Sequence, residues 1–457
     1  VNTPPVDLRD ALKVTALSGL HYSRRLNVSI DEVPVGTLAE AANLWSFSYS
    51  PEWLANPHRF PLAPALPLQD EAIFDGASDR PVQWYFDNLL PEEEQRGLMA
   101  VDAKVDGADA FALLAYYGAE SAGSLTLLRP GTALEPGSRV ALPDAELSQR
   151  IQQLPRTSLA AGAVKRMSLA GAQHKLAIIE REGVLYQPLG AEPSTHILKP
   201  DNTSENYPHS VVNEWFVMSL ARRMGLQVPD VERRYVPEPV FIIERFDRDI
   251  TSTGVHRRHA IDACQLLNLD RTFKYRLGSV ETLVGIVQRC RSKLMTRMRL
   301  FDWLVFNVLT GNNDAHLKNL SFLVDEAGIE LAPHYDLLST ACYETRAYAG
   351  DGARWPAMSE LAWPILGVSR FSELGFDQLV AAGEALGLQK KVATRRLVGQ
   401  LDRIVGEAQA LYEQALAENA GWTERFGIGT TLQGEMQFLR TVVHAVIKDM
   451  VRQLSPA

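Results

Sequence analysis

Between residues 312 and 319, in the stretch TGNNDAHLKNLSFL, six of eight positions are polar or charged: Asn312, Asn313, Asp314, His316, Lys318 and Asn319. A very apolar run, RLFDWLVFNVL, leads in, and a strand-like run follows. Asp314 and Asn319 lie five positions apart. At that spacing, loops that transfer phosphoryl groups set a carboxylate to take the proton of the attacking hydroxyl and an amide to bind Mg²⁺. A helix would put the two on different faces, so this chemistry requires a loop. LSFLV and IELAP then read as a hairpin about the turn DEAG, and HYD ends on Asp336. One carboxylate and one amide arriving from separate strands can chelate Mg²⁺ between phosphate oxygens. Taken singly, each residue also fits a structural role. Asp314 could cap a turn, Asn319 could satisfy a strand edge, and Asp336 could be the N-cap of a helix through LLST.

Further upstream, THILKP ends an apolar strand on Lys199, where an ammonium could face a cleft and hold α- and β-phosphates, or simply be an exposed strand end. Glu214 lies on the helical pattern SVVNEWFVMSLARRMG with Val211, Val217 and Met218 as its i±3 and i+4 neighbours, so its carboxylate leaves an apolar face. A buried carboxylate demands a cation. Lys199 is the natural candidate, and a nearby arginine the alternative. VKRMSLAGAQHKLAI places Ser168, Gly171 and Lys175 in a small-residue loop that lets backbone N–H groups approach phosphate. It matches neither GxGxxG nor a Walker A loop, and a plain turn has the same composition. FIIERFDR ends a strand at Glu244, Arg245 and Phe246, either as a crossing between lobes that holds adenine or as an ordinary strand end with surface charges.

The elements that must position these residues follow from pattern. The 457 residues exceed one ordinary core, so two or three domains or lobes are expected. Residues 1–150 are rich in Pro and turn signals between short apolar runs and predict a strand-rich domain, with LRPGTALEPGSRVALPD as a surface connection at its end. Residues 151–250 predict strand–turn–strand units with one helix, closed by Gly225. Residues 251–457 are helical in period almost throughout. The fold class expected is α+β: a strand-rich N-terminal domain, then a small sheet lobe and a large helical lobe, the outline of a protein kinase. Forty-six per cent hydrophobic and 22% charged residues are those of a globular chain. Absence of an 18-residue apolar run or a basic, then apolar, start leads us to expect neither membrane span nor secretory signal. Three widely spaced cysteines, Cys264, Cys290 and Cys342, read as buried thiols of a reducing cytoplasm. A net charge of −9 argues against the whole chain being a nucleic-acid binder, although GVHRRH and RSKLMTRMR are locally basic.

With these pieces in order, the chain resembles the HipA family, the serine/threonine-kinase toxins of bacterial type II toxin–antitoxin modules. The resemblance runs from about Val35 to about residue 420. It rests on VGTLAE, FSYSPEWL, PLAPALPL, NLLPEEEQR and AYYGAESAGSLTLL, then on SLAGAQHKLAI, HILKP, NEWFVMSLARRMGL, IIERFDR, NNDAHLKNLSFL and HYDLLST. It implies Asp314 as catalytic base, Asn319 and Asp336 as Mg²⁺ ligands, and Lys199 as the phosphate-binding lysine paired with Glu214. Glu244 and Phe246 would hold adenine, with Gly171, Lys175 and His316 also in the nucleotide site. Ser168 would be the serine phosphorylated by the kinase itself, in the loop that otherwise covers ATP. Ala315 departs from the glycine often found there in the family, and HYD departs from the usual Asp-Phe-Gly of kinases. The resemblance further implies a HipB-like helix-turn-helix antitoxin, contact with operator DNA mainly through it, and a protein substrate in translation such as glutamyl-tRNA synthetase. A small-molecule kinase and a catalytically idle co-repressor are the competing readings. The first 30 residues and GTTLQGEMQFLRTVVHAVIKDMVRQL lie outside the resemblance, the latter reading as one more amphipathic helix.

Overall fold

The computed structural model describes residues 24–159, 167, 173–252 and 254–455. The chain is α+β, with a strand-rich N-terminal part followed by a kinase-like part. The first sheet is antiparallel, in the order Ile73–Phe74, Leu44–Tyr49, Val33–Ala41, Arg24–Ile30, Leu125–Leu128. In Arg24–Ile30, alternation buries Leu26 and Val28 and leaves Arg25 and Asn27 exposed, as a sheet with one wet face requires. Helices Pro81–Asp87 and Ala110–Tyr117 cover the dry face, where Phe86 meets Phe47 and Phe111 meets Trp45 edge-on.

The second sheet is also antiparallel and has the order Val231–Tyr235, Pro239–Glu244, His196–Pro200, Leu176–Arg181, Val184–Leu189, Ser138–Ala141. Its last strand comes from the segment read as a surface connection. Ser138–Ala141 pairs with Val184–Leu189 along the backbone, Arg139 lies over the ring of Tyr186, and all four of its side chains are exposed, so no alternation marked it as a strand. Helix Asp144–Gln152 follows, and its Leu147 closes a small core with Leu176, Ile178, Leu198, Val240 and Ile242. On the opposite face lies helix Ser210–Arg223.

The hairpin expected after residue 320 forms between Ser321–Asp325 and Gly328–Leu331, joined on its other edge by Ala260–Asp262. Behind it, helix Lys293–Leu309 buries Phe301, Trp303, Val305 and Phe306, too many sides for a surface helix. Helix Lys390–Phe426 runs for 37 residues because Ala393, Leu397, Leu401, Ile404, Ala408, Leu411 and Ala415 repeat every three or four positions along one stripe. It stops at Gly427 (φ +66°), whose N–H returns to Thr423 O. The C-terminal stretch is helical as expected: Gly429–Thr441, a π-helical turn over Val442–Ile447, then Lys448–Leu454. Cys264, Cys290 and Cys342 are buried free thiols. Among the described residues, no helix is long and apolar enough to cross a membrane.

Candidate active site

Strand His196–Pro200 sits between two neighbours, so its alternation sorts its side chains between opposite faces. Leu198 enters the small core, and Lys199 emerges on the other face against Phe241, its cross-strand partner. There Lys199 Nζ donates to Glu214 Oε1 (2.8 Å) and Oε2 (3.0 Å) and to Asp336 Oδ1 (2.8 Å). The cation demanded by Glu214 is thus Lys199. Burial pushes Glu214 up to about 7 against the pull of Lys199. At Asp336 burial also opposes the charge, but Lys199, helped by Lys175 and His316, outweighs it and takes the carboxyl down to about 2. The two carboxylates hold Lys199 above its ordinary value despite its burial. Lys175 stands in the same field: burial and then Lys199 bring it down to about 8, with Asp336 and Glu214 opposing.

Asp314 and Asn319 occupy the loop between helix Lys293–Leu309 and strand Ser321–Asp325. Asn312 anchors the loop by donating from Nδ2 to Asn307 Oδ1 (2.8 Å) and accepting at Oδ1 from Asp314 N (3.1 Å). A single helical turn, Leu317–Asn319, then brings Asn319 back so that its Nδ2 donates to Asp314 O (3.1 Å). That hydrogen bond engages the amide nitrogen of Asn319 and leaves the amide oxygen as the atom available to a cation. That oxygen and the carboxylate of Asp336 are both hard donors of the kind Mg²⁺ takes. Burial raises Asp314 to about 6, against the hydrogen bond from Tyr275 and with Asp336 adding to the rise. His316 stays neutral, lowered to about 4 by burial and then by Lys274, and its ring lies edge-on to Tyr275. Asp336 is not a helix N-cap: its backbone is left-handed (φ +57°), a conformation that costs a non-glycine residue and gathers at functional sites.

Other expected residues fall around this centre with varying directness. Phe246 stacks on Tyr335, ring centroids 5.4 Å apart, and joins Ala260, Leu323 and Ala332. The backbone N–H of Glu244 donates to Asp230 O (2.9 Å), and its carboxylate, raised by burial, lies in the fields of Asp230 and Arg222 rather than of Lys199. Ser168 and Gly171 lie outside the described residues; their neighbour Met167 bridges to Gly118 and Glu120.

Several contributors were not legible as such. The Tyr275 hydroxyl donates to Asp314 Oδ1 from a segment with no motif of its own. Lys318, one of the loop's six polar residues, is buried and donates to Asn88 O (3.1 Å) and Oδ1 (2.6 Å) while pairing with Asp262 (2.8 Å). Arg245 and its neighbours are not surface charges. Arg245 and Arg248 are buried and share Asp247 and Glu120, and Asp247 accepts from Gly123 N (2.6 Å). AYYGAESAGS, in the first domain, is therefore the socket for the strand end FIIERFDR.

A sheet lobe carrying a lysine–glutamate pair, set against a helical lobe carrying an Asp–Asn loop and a second aspartate, defines a kinase-like protein. Residues 167–408 match the HipA-like C-terminal domain, and residues 26–128 match the HipA N-terminal domain. The chain belongs to the HipA family. The Shewanella oneidensis serine/threonine-protein kinase toxin HipA is 30% identical over 342 residues, covering 70% of this chain and 76% of the relative. Protein Y4mE of Sinorhizobium fredii is 38% identical over 312 residues, 65% of this chain and 72% of the relative. The solved complex of Shewanella oneidensis HipA with HipB and operator DNA superposes with a TM-score of 0.72 at 26% identity, covering 94% of this chain and all of the other.

Proposed function

We propose that the chain is an ATP- and Mg²⁺-dependent serine/threonine-protein kinase, the toxin of a HipA/HipB-type module. The observation that carries this reading is the contact of Lys199 with both Glu214 and Asp336 beside the Asp314–Asn319 loop. In the reaction, the acceptor hydroxyl oxygen bonds to the γ-phosphorus of ATP, the bond to the β-phosphate oxygen breaks, and ADP leaves. Asp314 takes the hydroxyl proton, and its rise to about 6 keeps it basic enough near neutral pH while still ionised. Lys199 neutralises phosphate charge, and Glu214 holds it in place. Mg²⁺, when bound through Asp336 and Asn319, would screen the phosphate oxygens. Phe246 and the backbone at Glu244 would receive adenine, and Lys175 and His316 would line the phosphate side.

The acceptor is a protein of translation, with glutamyl-tRNA synthetase the first candidate from the resemblance. A HipB-like antitoxin would carry the complex to operator DNA, as in the solved Shewanella oneidensis assembly of HipA, HipB and operator DNA. Ser168 would be the site of self-inactivation, since a phosphate adds about −1.5 to −2 charges near neutral pH and would repel those of ATP. Incubation with labelled ATP, Mg²⁺ and cell lysate tests the reading. A labelled protein band supports it, a labelled metabolite moves the chain to small-molecule kinases, and no transfer leaves a co-repressor. Mass spectrometry should find one added phosphate on the peptide containing Ser168, absent from the Asp314→Asn protein.

A further inference from the structure

Asn213 is fully buried, one residue before Glu214, between Val211, Val212, Trp215 and Phe216 on helix Ser210–Arg223. An apolar residue would serve packing at that position, so an amide there calls for an explanation. Its Oδ1 accepts from Ser339 N (2.8 Å), and its Nδ2 donates to Ser339 O (3.3 Å) and reaches Tyr343 Oη (3.3 Å). The side chain thereby pairs with both backbone groups of Ser339, like one rung of a sheet. Ser339 lies three residues after Asp336, whose left-handed backbone must be held by its surroundings. Upstream the hold comes from Tyr335, whose hydroxyl donates to Lys318 O (2.7 Å). Downstream it comes from Asn213. The next residue, Thr340, accepts at Oγ1 from Asn313 N (2.7 Å), so the same point is tied to the loop carrying Asp314.

We propose that Asn213 is a positioning residue that fixes Asp336 for metal–nucleotide binding, an inference that rests on the kinase reading above. The helix holds the Asp336 segment in two ways. One is ionic, Glu214 through Lys199 to Asp336, and the other is Asn213 to Ser339. On that reading the ionic link is temporary. Lys199 would turn to the phosphates and Asp336 to the cation, so their mutual contact would be given up when the site fills. The Asn213–Ser339 pairing involves no group that the nucleotide or its cation needs, and it persists. It then keeps Asp336 in register with the helix that carries Glu214. Because the tether is the Asn213 side chain, substitution of the amide removes it, and an apolar side chain of the same size cannot replace it.

The test is titration calorimetry of ATP into the full chain over a series of Mg²⁺ concentrations, comparing wild type with Asn213→Leu, whose folding is checked by its melting curve. The Mg²⁺ concentration for half-maximal ATP affinity should rise about tenfold or more, the size of effect that loss of a ligand-orienting partner has on metal affinity. ATP affinity without Mg²⁺ should change less than about twofold on the same ground, that the lost partner orients the metal ligand alone. Should the leucine protein not fold, Asn213→Ser, polar but too short to span to Ser339, should shift the Mg²⁺ requirement in the same direction. A folded variant with wild-type Mg²⁺ dependence overturns the inference and leaves the kinase reading standing. Wild-type protein that binds ATP equally with and without Mg²⁺ overturns both.

Discussion

Lys199 serves two carboxylates at once, and Asp314 carries a proton affinity set mainly by burial. On the proposed kinase reading, Asp314→Asn keeps volume but removes the proton acceptor, so phosphoryl transfer should fall by about a hundredfold to ten-thousandfold, read as labelled protein per minute, with an unchanged melting curve. Asn319→Ala and Asp336→Ala should each weaken Mg²⁺-dependent ATP binding in calorimetry, Asp336 more because it brings formal charge. Equal losses with and without Mg²⁺ would contradict both roles. Asp314, Asn319 and Lys199 were legible because spacing and strand position mark them, and Glu214 because a carboxylate on an apolar face needs a partner. Tyr275 was not, since it reaches Asp314 across 39 residues of chain with no pattern of its own. Lys318 looked like chemistry and is fold, because loop polarity does not say which way a side chain turns.

At the scale of elements, the stretch beyond the family match closes over the back of the sheet lobe. Glu435, on helix Gly429–Thr441, accepts from the Tyr235 hydroxyl (2.6 Å) and from Arg233 (3.3 Å), while Arg233 lies over Trp215 of the Glu214 helix. Glu435→Ala leaves the buried Arg233 with Asn419 and the outlying Glu418 only, and should cost about 1–3 kcal/mol in urea unfolding. A loss under a few tenths of that would mean the helix docks by apolar contact alone. The periodicity of this stretch revealed a helix but not its destination, because a buried glutamate reads in sequence as a surface one. Ser138–Ala141 escaped for the converse reason, being a strand made by backbone pairing with no buried side chain to mark it. The helical lobe and the Glu214 helix were legible because their apolar periods are long, and the hairpin because a clear turn, DEAG, separates two short apolar runs.

For the molecule as a whole, polar burial joins the first domain to the kinase-like part. Glu120 is wholly buried and serves Arg245, Arg248 and Ser194, so Glu120→Ala should destabilise the chain by about 3–5 kcal/mol, measured by chemical unfolding. His259 lies in the same seam, in contact with Tyr85, Ser124 and the carbonyl of Leu62, and burial lowers it to about 4. Its folded value lies below its ordinary one, so the unfolded chain takes up the proton first as pH falls. Stability from this group is complete above about pH 6.5 and declines toward pH 4, by about 1.4 kcal/mol per pH unit in that window. His259→Gln should start less stable but lose less on acidification, a comparison that melting curves at pH 7 and pH 5 will make. The seam could not be read in advance, because nothing in AYYGAESAGS or in the strand end FIIERFDR says that their charges pair with one another.

The reach of Lys318 to Asn88 bears on how such a chain can be cut. A fragment starting near residue 130 would retain Lys199, Glu214, Asp314, Asn319 and Asp336, and on a motif diagram it would be a whole kinase. It would nonetheless leave Lys318 with Asp262 alone, and Arg245 and Arg248 sharing Asp247 alone, three buried cations whose other acidic partners left with the first domain. The two pieces made separately carry complementary charge at a matched surface, and mixing them should restore a folded whole that neither half attains alone. Modularity by sequence motif and modularity by folding part company at this seam, and a deletion series should find its first soluble product only when residues 88 to 124 are kept.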